Sequence, residues 1–373
     1  MTKHRALSPD RFVDRFQGNE LLLRDFVKLW GDGLNVKATT LDVPGFKKLV
    51  DEGDGDSRDD FLEELHRVYD LCTDRGHEDL AAACQDSKYE PDPDGKLPVE
   101  LLSLKVRTEN EDAFNLAYDR CTVRQAQRFS IYQGKKGLAI SNTKAAMKQL
   151  KETLEKAFLG DSKSERVLVR QYQDGGYANF VVYHEQRMKS LLVFKGTKAD
   201  PKVSPTVLRP AQQDFISYHA ATGQAEFEAR YPREEAALRK NFAKCCLGDE
   251  NLFEKPEAAR RFTLTPIAGA DFSMPVDDSD SATLVELHFS LKQRHGPTFI
   301  VKSKDVFGTL EFNRLRKKLS GDQIWRAIFK FTFPDDRRGK RVELSGTNKI
   351  SFNRQTHSED VFRYLKNWGI LLG

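Results

Sequence analysis

The chain has 373 residues, 39% of them hydrophobic and 31% charged, with a formal charge of +4 at neutral pH. That share of apolar residues excludes a chain disordered throughout, and the length predicts two or three domains. No apolar run approaches the roughly 18–20 residues of a membrane helix, and the start, MTKHRALSPDRF, has no apolar secretory core. A cytoplasmic protein without membrane contact is expected.

The first part of the chain reads as helical. SPDRFVDRF opens with Ser8 as N-cap and Pro9 at the first helical position. NELLLRDFVKLW continues with apolar residues at helical spacing, and VPGFKKLV is a short helix. Ser57 is placed to cap RDDFLEELHRVYDLC, whose Phe61, Leu65, Val68 and Cys72 form one stripe. HEDLAAACQ, PVELLSLKV and NEDAFNLAYDRC follow as helices. SNTKAAMKQLKETLEKAFLG is the strongest helical signal, with Gly160 placed to end it.

Beyond residue 165 the period changes. RVLVRQY, YANFVVYH and MKSLLVF read as strands of an antiparallel meander. DFISYH and AEFEARY flank AATGQ, a hairpin in which Gly223 takes a positive φ. A helix follows, with Pro232 at its start and Gly248 past its end. RFTLTPI, TLVELHFSL and PTFIVKS read as strands, and LEFNRLRKKL as a short basic helix. IWRAIFKFTF alternates, with Trp325, Ala327, Phe329, Phe331 and Phe333 on one side. RVELS and KISFN complete the sheet, and SEDVFRYLKNWG closes the chain as a helix. The fold class expected is α+β: a helical N-terminal region, then antiparallel sheet with interspersed helices. The division expected is an acidic helical domain over 1–95, a helical connector over 96–164 and a basic α+β domain over 165–373.

Charge is unevenly distributed. Residues 1–100 hold 14 bases against 23 acids, and residues 301–373 hold 16 against 8. This asymmetry predicts a polyanionic partner for the basic part and a docked partner protein for the acidic part. The five cysteines are odd in number and include the adjacent Cys245 and Cys246, which predicts reduced thiols rather than a disulfide framework.

Familiar cofactor motifs are missing. QGKKGLA and RRGKRVE lack the upstream glycine and hydroxyl of a phosphate loop. His66, Cys72, His77 and Cys84 do not have zinc-module spacing, and VDDSDSATLVELH departs from a calcium loop at its sixth and twelfth positions. No cofactor is expected. A metal-dependent nuclease needs two or three acids around a scissile phosphate. Glu286 and His288, which alternate to one face of TLVELHFSL, are the candidate pair; the alternative is the wet face of a half-buried strand.

The basic residues form a more coherent set. Arg120, Arg124 and Arg128 recur every four residues and, if helical, form a basic ridge on one face, followed by Lys135 and Lys136 in a glycine turn. Arg314, Arg316, Lys317 and Lys318 cluster on the short helix. Arg337, Arg338, Lys340 and Arg341 crowd the turn in FPDDRRGKR, with Lys349 and Arg354 beyond. Cations on a helix and a hairpin neutralise phosphates and release counterions. The expectation is a non-enzymatic, nucleic-acid-binding component of a bacterial multi-protein system, more readily DNA than RNA. The alternatives are an assembly subunit, as in an antiviral defence system, and the nuclease.

Overall fold

A computed structural model describes residues 12–34, 36–52, 57–140, 143–159, 166–196, 201–291 and 296–372. Ser8, Pro9 and Gly160 lie outside them. The fold is mixed α+β, with most helices N-terminal and an antiparallel sheet of ten strands beside a smaller one of two. The chain divides into two units, residues 1–123 and 124–373.

In the first unit, α1 (Glu20–Lys28), α2 (Val43–Glu52), α3 (Arg58–Asp70), α4 (Asp74–Asp86), α5 (Val99–Glu109) and α6 (Glu111–Gln125) follow the apolar stripes of the sequence. Phe61 of α3 is fully buried, and its ring meets Trp30, Phe46 and Phe26 at 5.3, 5.7 and 5.8 Å. Such contacts add to the area each ring removes from water. Leu101, Leu104, Phe114 and Ala117 join the same core, so α5 and most of α6 belong to this unit and not to a connector. Ser57 stands at the N-cap of α3 without a side-chain cap bond. By contrast, Thr73 caps α4 by accepting the Gly76 N–H at 2.9 Å.

The second unit begins with β1 (Arg128–Gln133), a strand that the arginine spacing had suggested was helix. Then come α7 (Thr143–Leu159), β2 (Val167–Asp174), β3 (Tyr177–Glu185), β4 (Lys189–Gly196), β5 (Pro201–Leu208), β6 (Ala211–His219), β7 (Gln224–Glu228) and α8 (Pro232–Leu247). The rest comprises β8 (Ser281–Ser290), β9 (Thr298–Lys302), α9 (Val306–Phe312), β10 (Ile324–Phe333), β11 (Asp336–Ser345), β12 (Lys349–Ser351) and α10 (Ser358–Asn367). The sheet order is β2-β3-β6-β7-β1-β12-β11-β10-β8-β9. β4 pairs only with β5, as a separate two-stranded ribbon. The meander therefore runs from β3 to β6 and skips the ribbon. RFTLTPI forms no strand; it contributes a single bridge, Phe262 with Leu371, and a 3₁₀ turn at Thr265–Ala268.

Apolar faces of α7 and α8 cover one half of the sheet. Leu150, Leu154 and Phe158 pack with Leu238, Phe242, Phe180 and Phe227 in one core. Gly223 has φ +73° in the β6–β7 turn, as the hairpin reading requires. At the other half, Phe331 of β10 stacks on Trp368 at 5.4 Å, and the Phe329 ring meets it tilted at 5.6 Å. Two bulges adjust the β8–β10 pairing in this half. The β8–β10 register shifts at Trp325, leaving Ile324 buried and Trp325 exposed, so Trp325 does not share the face of Ala327 and Phe329. It shifts again opposite Val285, which delivers Leu284 to the core. An extra residue in one strand reverses the alternation beyond it.

Candidate nucleic-acid interface

FPDDRRGKR forms the β10–β11 connection. Phe333 pairs with Asp336, so the turn is Pro334 and Asp335, and the bases lie on the returning strand rather than at the tip. Pairing slips between Phe331 and Phe333. There Asp336 Oδ1 accepts the backbone N–H groups of Arg338 and Gly339, each at 3.2 Å. Arg338 and Arg341 are exposed, while Lys340 turns inward. Lys340 Nζ donates to Thr356 Oγ1 at 2.8 Å and to the Asn353 carbonyl at 3.3 Å. Burial holds its pKa below the usual lysine range. The side chain of Arg337 lies outside the described residues.

The sheet face opposite Trp368 carries an open groove of about 860 Å³. Its cations are Lys302, Arg326, Arg338, Lys340 and Arg341, and its carboxylates are Glu286, Asp336 and Glu343. Four strands supply these groups. On β8, Glu286 and His288 do share a face, yet both are buried, so this is no simple wet side. His288 Nε2 lies 2.6 Å from Glu286 Oε1, and the ring meets Trp325 edge-on at 4.8 Å. Glu286 Oε2 lies 3.3 Å from Lys302 Nζ and 3.6 Å from Arg341 Nη2. Burial pushes the Glu286 carboxyl up, but His288 and Lys302 outweigh it and hold the group below the usual glutamate range. A buried carboxylate held ionised in this way fixes the two cations at the groove wall. Both cations stay open to solvent, with 68% of the Lys302 side chain and 63% of the Arg341 side chain exposed. Arg326 pairs with Glu343 at 2.7 Å.

The remaining basic residues do not gather here. The helix expected at Arg314–Lys318 is interrupted. α9 stops at Phe312, Arg314 has φ +55°, and Arg316–Lys318 form a 3₁₀ turn. Arg316 donates to the carbonyls of Ile267 at 2.8 Å and Gly269 at 2.6 Å and covers the Phe307 ring, a structural role. Arg314, Lys317 and Lys318 are exposed but do not line the groove. The ridge expected from Arg120, Arg124 and Arg128 is not continuous, because α6 ends at Gln125 and Arg128 opens β1. Arg120 is buried against Asp86 at 2.7 Å. Lys135, Lys136 and Lys349 are exposed. Arg354 is an internal clamp, paired with Glu226 and lying 4.1 Å over the Phe129 ring.

Sequence reasoning missed Lys302, Arg326 and Glu343. They come from three different strands, β9, β10 and β11, and only the pairing brings them together. It also missed a buried cluster in the other half of the sheet: His184 of β3, Asp214 of β6 and Glu234 of α8. Among the described residues, these are the three His, Cys, Asp or Glu side chains whose ligand atoms converge within 4.8 Å. Glu286 and His288 join no such group. Burial, above all, holds the Asp214 carboxyl above its usual range. Among the described residues no helix is long and apolar enough to cross a membrane. No protein-family model and no curated protein matches the chain.

Proposed function

We propose that the chain binds nucleic acid, DNA in the first instance, through the groove on β8–β11, as a non-enzymatic component of a larger assembly. The observation that carries this reading is the groove itself: Lys302, Arg326, Arg338 and Arg341 from β9, β10 and β11 against three carboxylates, with Lys302 and Arg341 open to solvent. Such an array offers phosphates charge at fixed spacing, without the helix or hairpin-tip contacts the sequence suggested. In the same reading the acidic helical unit docks a partner protein.

The test is duplex binding as a function of salt. Affinity is expected to fall steeply with ionic strength, and the pair Arg338→Glu with Arg341→Glu to abolish binding while leaving the thermal transition in place. Equal binding by that variant overturns the reading. Glu286→Gln removes a negative charge from the groove and is expected to tighten binding. If instead the wild type cuts DNA with added Mg²⁺ or Mn²⁺ and Glu286→Gln does not, the nuclease reading replaces this one. A stoichiometric co-purifying protein with no retained nucleic acid favours an assembly subunit.

A further inference from the structure

We infer that His184, Asp214 and Glu234 form a binding site for one divalent transition-metal ion, of the Mn²⁺ or Zn²⁺ class, that ties α8 to the sheet. The three side chains come from β3, β6 and the first turn of α8, and they are 1%, 0% and 2% exposed. One imidazole nitrogen and two carboxylates suit these ions. The ligand atoms lie within 4.8 Å of one another. Ligands about 2.1 Å from one ion lie about 3.0–3.4 Å apart at octahedral or tetrahedral angles, so the widest pair closes by at most about 1.4–1.8 Å when the ion enters. His184 Nε2 is already 2.8 Å from Asp214 Oδ2, about the spacing of neighbouring ligands around one ion.

The surroundings fit a closed structural site. The Phe158 ring of α7 stacks on His184 at 4.2 Å, fixing the imidazole plane. Gln212 Nε2 donates to Asp214 Oδ1 at 2.6 Å and to Glu234 Oε2 at 2.7 Å. Gln186, itself buried, places Nε2 3.1 Å from Glu234 Oε1 and 3.4 Å from His184 Nδ1. In this arrangement the two amides hold the carboxylates in place. A further sign is that Gln212 Oε1 is buried and makes no hydrogen bond. An amide oxygen is also a ligand for these ions, and turning the Gln212 amide over brings it to the two carboxylates. The site lies on the half of the sheet built from β2, β3, β6, β7 and β1, and the groove on the other half needs no part of it.

The full-length protein, stripped with a chelator and dialysed, is titrated with Mn²⁺, which the five thiols bind poorly. One equivalent is expected, with a melting temperature raised by about 5 °C at a hundredfold excess over Kd. Asp214→Asn and Glu234→Gln should each lose the bound equivalent, and Gln212→Ala should weaken it by roughly 10–100-fold. Electron spin-echo spectra of bound Mn²⁺ in the wild type should carry the modulation of a directly ligated imidazole nitrogen, a readout that no variant's folding can disturb. The inference is overturned if the wild type takes up no Mn²⁺ or Zn²⁺, if bound Mn²⁺ shows no nitrogen, or if both carboxylate variants bind as the wild type does. The cluster is then a buried His–Asp pair beside a helix cap.

Discussion

Neighbouring bases on β11 differ in role because the register slip turns them to different sides. Lys340 is held by Thr356 and Asn353, while Arg338 faces solvent. Lys340→Ala is therefore expected to cost about 1–3 kcal/mol of stability and to leave the salt dependence of DNA binding alone. Arg338→Ala should do the reverse, lowering the slope of log K against log salt by about 1. Chemical denaturation and a binding series separate the two. Glu228 supplies a second residue-level expectation. Burial raises its pKa to about 7; nearby Asp214 adds to the rise, while Arg354 and the backbone at Arg128 and Gln127 oppose it. The folded state then holds a proton that the unfolded chain has released, across the interval from 4.5 to about 7. Stability should fall as pH rises through that window and level off above it, by at most about 3 kcal/mol. Glu228→Gln should flatten the profile measured by thermal melts at pH 5 to 8.

Two glycines with similar φ separate backbone strain from crowding. Gly248, φ +79°, ends α8, and a Cβ there meets nothing within 4 Å. Gly223, φ +73°, would place a Cβ 2.6 Å from the Lys135 carbonyl oxygen. Gly248→Ala should cost about 1 kcal/mol and Gly223→Ala two- to fourfold more, since the β6–β7 turn and the segment just past β1 must part to admit it; urea titration measures both. Elements of this kind were legible in the sequence because their signals are local: period-3.6 stripes for α3, α5 and α7, and glycine turns for β6–β7. β5 was not legible, since Pro201 and Pro205 in PKVSPTVL argue against a strand, and only its isolation in a two-stranded ribbon tolerates them. β1 was misread because arginines four apart imitate a helical face. The bulges at Val285 and Trp325 leave no local mark, yet they decide which residues face the groove. His184, Asp214 and Glu234 come from three separate elements, and no motif spans such spacing.

The two units differ in composition and in core, and the groove belongs wholly to the second. Residues 124–373 alone are expected to bind duplex DNA with the salt slope of the full chain, and residues 1–123 to bind none. If the second unit loses binding while its thermal transition persists, the groove does not explain recognition. Within this unit the sheet joins two halves, with residues 128–228 supplying β2, β3, β6, β7 and β1 and residues 281–351 supplying the other five strands. The halves meet where β1 pairs with β12 at Arg128–Ser351, Phe129–Ile350 and Ser130–Lys349, closed by Arg354 over Phe129. On the ribosome the first half can assemble from local hairpins long before residue 349 exists. One flank of β1 then stands open, as an edge to which any extended chain can add. At about 5–20 residues per second, that exposure lasts on the order of ten seconds in every round of translation. How long the strand waits is thus set by synthesis, and a slowly translated message leaves it open the longest.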